Sequence, residues 1–294
     1  MNIPLDSSCM QYRILVFLIL LALQSCKIAD LRTSELNLDS PHREDRAIQL
    51  LNNVIGTYQL NKLEKAQTYA FKAKDNWKGL YALVNPFPKD NELMEMRFRP
   101  SSFDGQFNYI NTRNKSIYGV QSFAYYKVNK KGKTRFKKKK STSFALPAIQ
   151  YFFELPLRLR DAPILKYAGT RDFENKTYDL VFATWNKPQP HKEHDQYLLY
   201  IDHESNHLAF ANYTVRGIHL PAPKSIFGSI RFEQLKKNEN GITYPGKMYV
   251  QLNKLKPSNR AFHTITISNL EINSFPVSKL YPDASIQFLG DSKL

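Results

Sequence analysis

Residues 68–74 read Thr-Tyr-Ala-Phe-Lys-Ala-Lys. In an extended chain successive side chains alternate in direction, so Tyr69, Phe71 and Ala73 share one side and the lysines the other. Just upstream, Ala47, Leu50, Leu51, Val54, Ile55 and Tyr58 recur at steps of three and four, the single apolar stripe of a helix. Ser40-Pro41, with Glu44 and Asp45 behind it, supplies a start: a capping hydroxyl, a proline at the first helical position and acids near the positive end of the dipole. A one-sided helix needs a surface to lie on, and the strand at 68–74 begins that surface.

Further strand-like runs follow at 79–84, 93–99, 105–111, 116–128 and 134–144, with turn residues between them at the spacing of an antiparallel meander. Residues 146–159, LPAIQYFFELPLRL, interrupt the pattern with Ile149, Phe152, Phe153, Leu155 and Leu157. Pro156 lacks a donor and clashes with the preceding turn, which predicts a short helix that breaks there. Two uses of it stay open: a plug on one side or end of the sheet, or a lid over an apolar cavity. Strands resume at 178–185, 196–202, 208–216, 226–235, 247–255 and 263–272, joined by turns such as 202–207 and 236–241. In 178–185 and 197–201 both alternating sets are largely apolar, and such strands need cover on both faces. A helix can cover one; an apolar ligand or the opposite wall of a curved sheet can cover the other. The expected fold is mainly β (α+β): a curved, mostly antiparallel sheet or incomplete barrel wrapping an N-terminal helix, with a short helical insert near 146–159. No period of about twenty to fifty residues repeats, which argues against a solenoid or propeller.

The N-terminus gives an address. Ile14 to Leu23 is an unbroken apolar run, about half the length that spans a bilayer, behind a short leader ending in Arg13. That is the plan of a secretory signal peptide. Leu23-Gln24-Ser25-Cys26 then resembles the lipobox of bacterial lipoproteins, which implies diacylation of Cys26 and its exposure as a new N-terminus. An ordinary signal peptide followed by a free cysteine is the alternative. The resulting plan is a signal peptide over 1–25, a lipidated tether over 26–40, where the chain is polar and aperiodic, and one β-rich domain over 41–294. Cys9 leaves with the leader and Cys26 carries lipid, so the mature domain forms no internal disulfide, which suits a bacterial envelope. Lys27 replaces the aspartate that in enteric bacteria marks inner-membrane retention; by that resemblance the outer membrane is favoured. The formal charge of +16 favours anionic partners.

Asn240-Gly241-Ile242-Thr243-Tyr244-Pro245, followed by the strand at 248–252, resembles the Gly-x-x-x-Pro pattern of the lipoprotein-localisation factors LolA and LolB, and the leading helix running into Tyr69-Ala70-Phe71 fits their outline. The blocks at 178–185 and 195–202 look like an uncharacterised Bacteroidota lipoprotein family of the same outline. The resemblance implies an incomplete antiparallel barrel around a helix, enclosing a hydrophobic cavity for acyl chains. The basic segment 127–140 and the aromatic insert 146–159 depart from it.

Chemistry is weakly signalled. There is no Gly-x-Ser-x-Gly elbow, no phosphate-cradling loop and no free thiol in the mature chain, so no catalytic residue, cofactor or metal is expected. His191, His194, His203 and His207 are close in sequence, but His194 and His203 flank a strand and sit on the order of 30 Å apart. The wall of an apolar ligand site is drawn from Tyr69, Phe71, Phe182, Trp185, Leu199 and Phe210, with Phe152 and Phe153 as lid; each of these also reads as ordinary core. Lys130, Lys131, Lys133, Arg135, Lys137, Lys138, Lys139 and Lys140 form a basic run without an acid, with Asn129-Lys130-Lys131-Gly132 as a hairpin turn. It reads as a solvated tip or as a contact for anionic headgroups. Phe136 is the only aromatic interleaved with the charge, so nucleic acid is not an expected partner. The expected function is noncatalytic binding of an apolar or lipidic ligand by an envelope lipoprotein. A structural or assembly lipoprotein acting through its basic surface is the alternative, and a hydrolase ranks last.

Overall fold

The computed structural model describes residues 28–113, 115–216, 223–253 and 255–285. The leader and Cys26 lie outside them. The stripe read from sequence is the buried face of helix α1 (Asp45–Tyr58): Ala47, Leu50, Leu51, Val54, Ile55 and Tyr58 are all buried. The helix starts at Asp45 and not at Ser40-Pro41. The Ser40 hydroxyl is used elsewhere, donating to the Asn37 carbonyl at 2.9 Å and lying against the Glu44 carboxylate. The helix passes through Gly56 and ends at Gln59, whose φ of 57° is left-handed, before the short α2 (Leu60–Glu64).

The strands are β1 (Tyr69–Trp77), β2 (Leu93–Phe98), β3 (Gly105–Tyr109), β4 (Ile117–Gln121), β5 (Ala124–Val128) and β6 (Thr134–Lys137), then, after helices α3 (Lys140–Phe153) and α4 (Leu155–Arg160), β7 (Ile164–Phe173), β8 (Lys176–Thr184), β9 (Tyr197–Asp202), β10 (Leu208–Thr214), β11 (Phe227–Lys237), β12 (Thr243–Leu252) and β13 (His263–Ile272). They form one curved, unclosed sheet in the order β6-β5-β4-β3-β2-β1-β13-β12-β11-β10-β9-β8-β7, antiparallel throughout. Two meanders are thus joined by the pairing of β1 with β13. The sheet's two edges, β6 and β7, are the strands that α3 and α4 connect. On the concave side α1 packs against α4, β7, β8 and β12, and α3 against β3, β4 and β5. The expected fold class is the observed one.

Several local expectations change. Residues 79–84 are a short 3-10 helix and not a strand, since β1 already pairs with β2 on one side and β13 on the other. The run at 134–144 is a strand only to Lys137, and α3 begins at Lys140. The insert contains two helices. Pro147 lies inside α3, the break is at Glu154, and Pro156 falls in the first turn of α4, where no backbone donor is needed.

Residues 28–40, read as a tether, lie along the convex face. Leu31 and Leu36 are buried against Ile164, Tyr178, Leu180, Phe182, Leu198, Tyr200 and Phe210. Backbone bonds hold the segment at Ala29 to the Lys224 carbonyl (2.9 Å), and the Gln196 side chain accepts from the Leu31 amide (2.9 Å). Lys166 on β7 is fully buried; its Nζ donates to the Ser40 hydroxyl (2.7 Å) and to the carbonyls of Asn37 (2.9 Å), Ser40 (2.8 Å) and Pro41 (3.2 Å). The polar, aperiodic sequence hid this because two leucines and one buried lysine suffice to seat it. At the other flank of the convex face, Phe275 and Leu280 pack on Ala70. There the fully buried Tyr126 lies over Gly119, where a Cβ would meet the ring at 2.3 Å.

Candidate functional site

The concave face is apolar from one meander to the other. Met94, Met96, Phe98, Phe107, Tyr118 and Val120 line it on one side of β1, and Val181, Leu199, Ile201, Ala211, Ile230, Met248 and Ile265 on the other. What covers it is helical. Phe153 at the end of α3 sits against Tyr69 (ring centroids 5.5 Å) and Phe71 (4.9 Å) on β1, and Phe152 against Tyr213 on β10 (4.6 Å). Tyr151 meets Tyr197 at 5.6 Å.

A buried polar cluster locks these helices in place. Glu154, at the break between α3 and α4, accepts from the Tyr69 hydroxyl (2.7 Å), the Gln150 amide (2.9 Å) and the Arg158 guanidinium (2.7 Å). Arg158 also donates to the Ser102 carbonyl at 2.5 Å and lies over the Phe103 ring at 4.8 Å. Both charged side chains are at most 5% exposed. A buried pair of this kind persists when its remaining hydrogen-bond sites are filled, as most are here. Burial, followed by the neighbouring Glu154 charge, pushes the Tyr69 phenol well above its ordinary pKa, so it stays a donor. Burial likewise raises the phenols of Tyr151, Tyr197 and Tyr213.

A recess lies where the end of α1 meets the α3–α4 break. It is lined by Tyr58, Leu60, Phe152, Phe153, Pro156, Leu208, Phe232, Thr243, Tyr244 and Pro245, and its volume open to the centre of a water molecule is about 20 Å³. That holds one water and not an acyl chain.

The eight ligand-site residues expected from sequence do not share one wall. Tyr69, Phe71, Phe153 and Leu199 are buried in the concave core, with Phe152 and Trp185 packed at its margin. Phe182 and Phe210 face the other way, under Leu31 and Leu36. Phe182 and Leu199 lie on adjacent strands in the register Val181↔Leu199, which puts Phe182 on the opposite face. On β10 an irregularity between Leu208 and Phe210 turns Leu208 to the concave side and leaves Phe210 on the convex one. Phe152 and Phe153 fill the interior and do not cap an open space. Sequence reasoning missed Tyr213, Tyr244, Glu154 and Arg158. The Glu154-to-Arg158 spacing of four within an apolar segment was the available signal for the last two.

The basic run is divided. Lys130, Lys131 and Lys133 occupy the exposed β5–β6 turn, Arg135 and Lys137 the edge strand β6, Lys138 and Lys139 the link that follows, and Lys140 the start of α3. Lys139 reaches the Pro86 carbonyl (3.2 Å) and lies over the Tyr125 ring (5.6 Å). The histidines serve local contacts: His203 Nδ1 lies 2.8 Å from Asp179, and His191 bonds the Trp185 carbonyl (3.2 Å). Among the described residues no three potential metal ligands converge.

No protein-family model matches the chain, and no curated protein does. Among solved structures, a DUF1329 family protein from Desulfovibrio piger aligns over 82% of this chain and 98% of its own at 14% identity, with a TM-score of 0.46. A LolA superfamily protein from Nitrosomonas europaea aligns over 78% and 94% at 7% identity (TM-score 0.45), and the lipoprotein LppX from Mycobacterium tuberculosis over 80% and 100% at 11% (TM-score 0.25). Likeness of this degree concerns the course of the chain alone.

Proposed function

We propose that this is a cell-envelope lipoprotein, anchored through Cys26 and facing the outer membrane, whose concave face takes up an apolar or lipidic chain without chemistry. The observation that supports the reading is the cover of that face. An apolar surface spanning both meanders is closed by α1 over β7, β8 and β12 and by the two helices that connect the sheet's edges, with a break at Glu154 and the recess beside it. Uptake then means displacement of Phe152 and Phe153, after which Tyr69, Phe71, Leu199 and Trp185 belong to the exposed wall. Phe182 and Phe210 have no part in it. Purification without detergent, followed by organic extraction and native mass spectrometry, tests this. A co-purifying lipid is expected; a ligand-free protein that also fails to bind a fluorescent fatty acid refutes it. The second reading, a structural lipoprotein acting through its surface, is favoured by the small volume of the recess, and that negative result would select it.

A further inference from the structure

The 3-10 helix at Gly79–Val84 exposes apolar side chains that the core could have taken. Leu80 is 83% and Leu83 84% exposed, with Tyr81 and Val84 at 42% each. Residues three apart eclipse one another in a 3-10 helix, so the two leucines project side by side. The turn is held from beneath: Tyr81 packs on Phe262 (4.4 Å), and Trp77 stacks on His263 (4.0 Å) and donates to Asp75 at 2.6 Å. Asp90 anchors its far side, accepting from the Trp77 amide (3.0 Å) and the Asn85 side chain (3.1 Å). The leucines are therefore presented by a braced support.

Strand register shows what shares their end of the sheet. Pairings Lys74↔Leu93, Met94↔Tyr109, Asn108↔Ile117, Ile117↔Val128 and Val128↔Thr134 run along one rim from this turn to the β5–β6 turn, about 20 Å away at the usual strand spacing. Exposed Arg113 and Lys115 stand on the way, with Lys130, Lys131 and Lys133 at the end. In the other direction Trp77↔His263, Val250↔His263, Gly228↔Leu252, Thr214↔Phe227 and Tyr213↔Tyr197 carry the same rim past exposed Lys256 and Arg260. It passes Lys224 and Gln196, the partners of Ala29 and Leu31, and runs on through Ala183↔Tyr197 and Ile164↔Thr184 to the sheet's edge. The described chain thus begins, two residues after Cys26, on the rim that carries the leucines. Of this rim's acids, Asp90 is turned onto its own loop, Asp195 accepts from Thr214 and the Arg216 amide and Asp161 lies 3.5 Å from Arg160, while Glu92 and Glu193 stand among the bases. Of the hairpin turns at the opposite end, 174–175, 203–207 and 238–241 each carry a glutamate and no lysine, 99–104 carries Arg99 and Asp104, and 122–123 carries no charge.

We propose that this rim is a membrane-docking face: Leu80 and Leu83 enter the headgroup region of a bilayer while the flanking Lys and Arg side chains engage its anionic lipids. Paired exposed leucines within a basic surround have the chemistry of a lipid interface and suit neither water nor a wholly apolar partner. The position of residue 28 rests on the anchor reading above; a ligand on the concave face is not required.

The test uses the full chain reconstituted on phosphatidylethanolamine–phosphatidylglycerol vesicles, with an environment-sensitive fluorophore on Leu80→Cys or, at the opposite end, on Glu239→Cys. In the processed chain Cys9 is gone and Cys26 is acylated, so chain without an introduced cysteine measures the labelling background. The label at 80 is expected to shift to the blue and resist aqueous iodide, and the label at 239 to stay quenchable. Replacing Lys130, Lys131 and Lys133 with Gln should lower the seated-to-unseated ratio about fivefold per lysine. A chain that floats with the vesicles while residue 80 stays wet overturns the docking face and leaves the anchor standing. A chain that fails to float overturns both. Shielding of residue 80 without vesicles, in a dimer seen by sedimentation, assigns the face to a second copy and refutes the proposal. Equal shielding on phosphatidylcholine refutes its anionic part. Both sites are exposed, and an unchanged circular dichroism melt verifies folding.

Discussion

Glu154→Gln separates a displaceable plug from an ordinary core. The Glu154 carboxylate holds β1 through Tyr69, α3 through Gln150 and α4 through Arg158, and the partner left behind is a guanidinium only 5% exposed. Removing one member of such a pair costs about 3–5 kcal/mol, and an amide that keeps some hydrogen bonds places this change near the low end. If uptake requires the helices to leave, apparent affinity is the intrinsic value scaled by the open fraction. A loss of about 3 kcal/mol confined to the docked helices raises that fraction roughly 150-fold. Urea unfolding would give the stability change, and titration with a fluorescent fatty acid the affinity. The expected result is lower stability with tighter binding. Stability reduced by about 3 kcal/mol with affinity unchanged or weakened would refute the plug, because the helices would then be part of the site's own support.

Lys166→Met supplies the contrasting case. It leaves the carbonyls of Asn37, Ser40 and Pro41 without their buried donor, so a loss of about 3–5 kcal/mol and faster amide exchange over 28–44 are expected, with no gain in fatty-acid affinity. Gly119→Ala drives a methyl into the Tyr126 ring and should cost about 1–3 kcal/mol in urea melts, recovered in part by pairing it with Tyr126→Leu. The Asp202 carboxyl is raised by burial but lowered more by hydrogen bonds from Lys176 and Ser205, ending at about 2 against an ordinary 3.8. Its stabilisation is therefore complete above the unfolded value and lost as pH falls through the folded one. Asp202→Asn should lose less stability between pH 5 and pH 2.5 than the parent does, measured by thermal melts.

Helix α1 was readable residue by residue, because one buried face on a period of 3.6 leaves an unambiguous stripe. Most strands were readable for the same kind of reason. The turn at 79–84 was not: Leu, Tyr, Leu and Val suggest a strand by composition, and only the absence of a free neighbour beside β1 makes them a surface turn. The candidate site was half readable. Its aromatic membership was visible, but in β8 and β9 both alternating sets are largely apolar, so nothing local assigned Phe182 and Leu199 to opposite faces.

By itself the sequence determined helix α1, most of the strands though not the edge strand β7, their antiparallel succession, the need for cover on two faces and the leader that suggests an envelope address. Those follow from local periodicity and composition, which each segment carries within itself. The tertiary structure alone decided that β1 meets β13, that α3 and α4 fill the concave face, that residues 28–40 seat on the convex one, and that Leu80 and Leu83 share a rim with the basic turns. These depend on which of several apolar faces finds which, a competition settled between segments as much as two hundred residues apart.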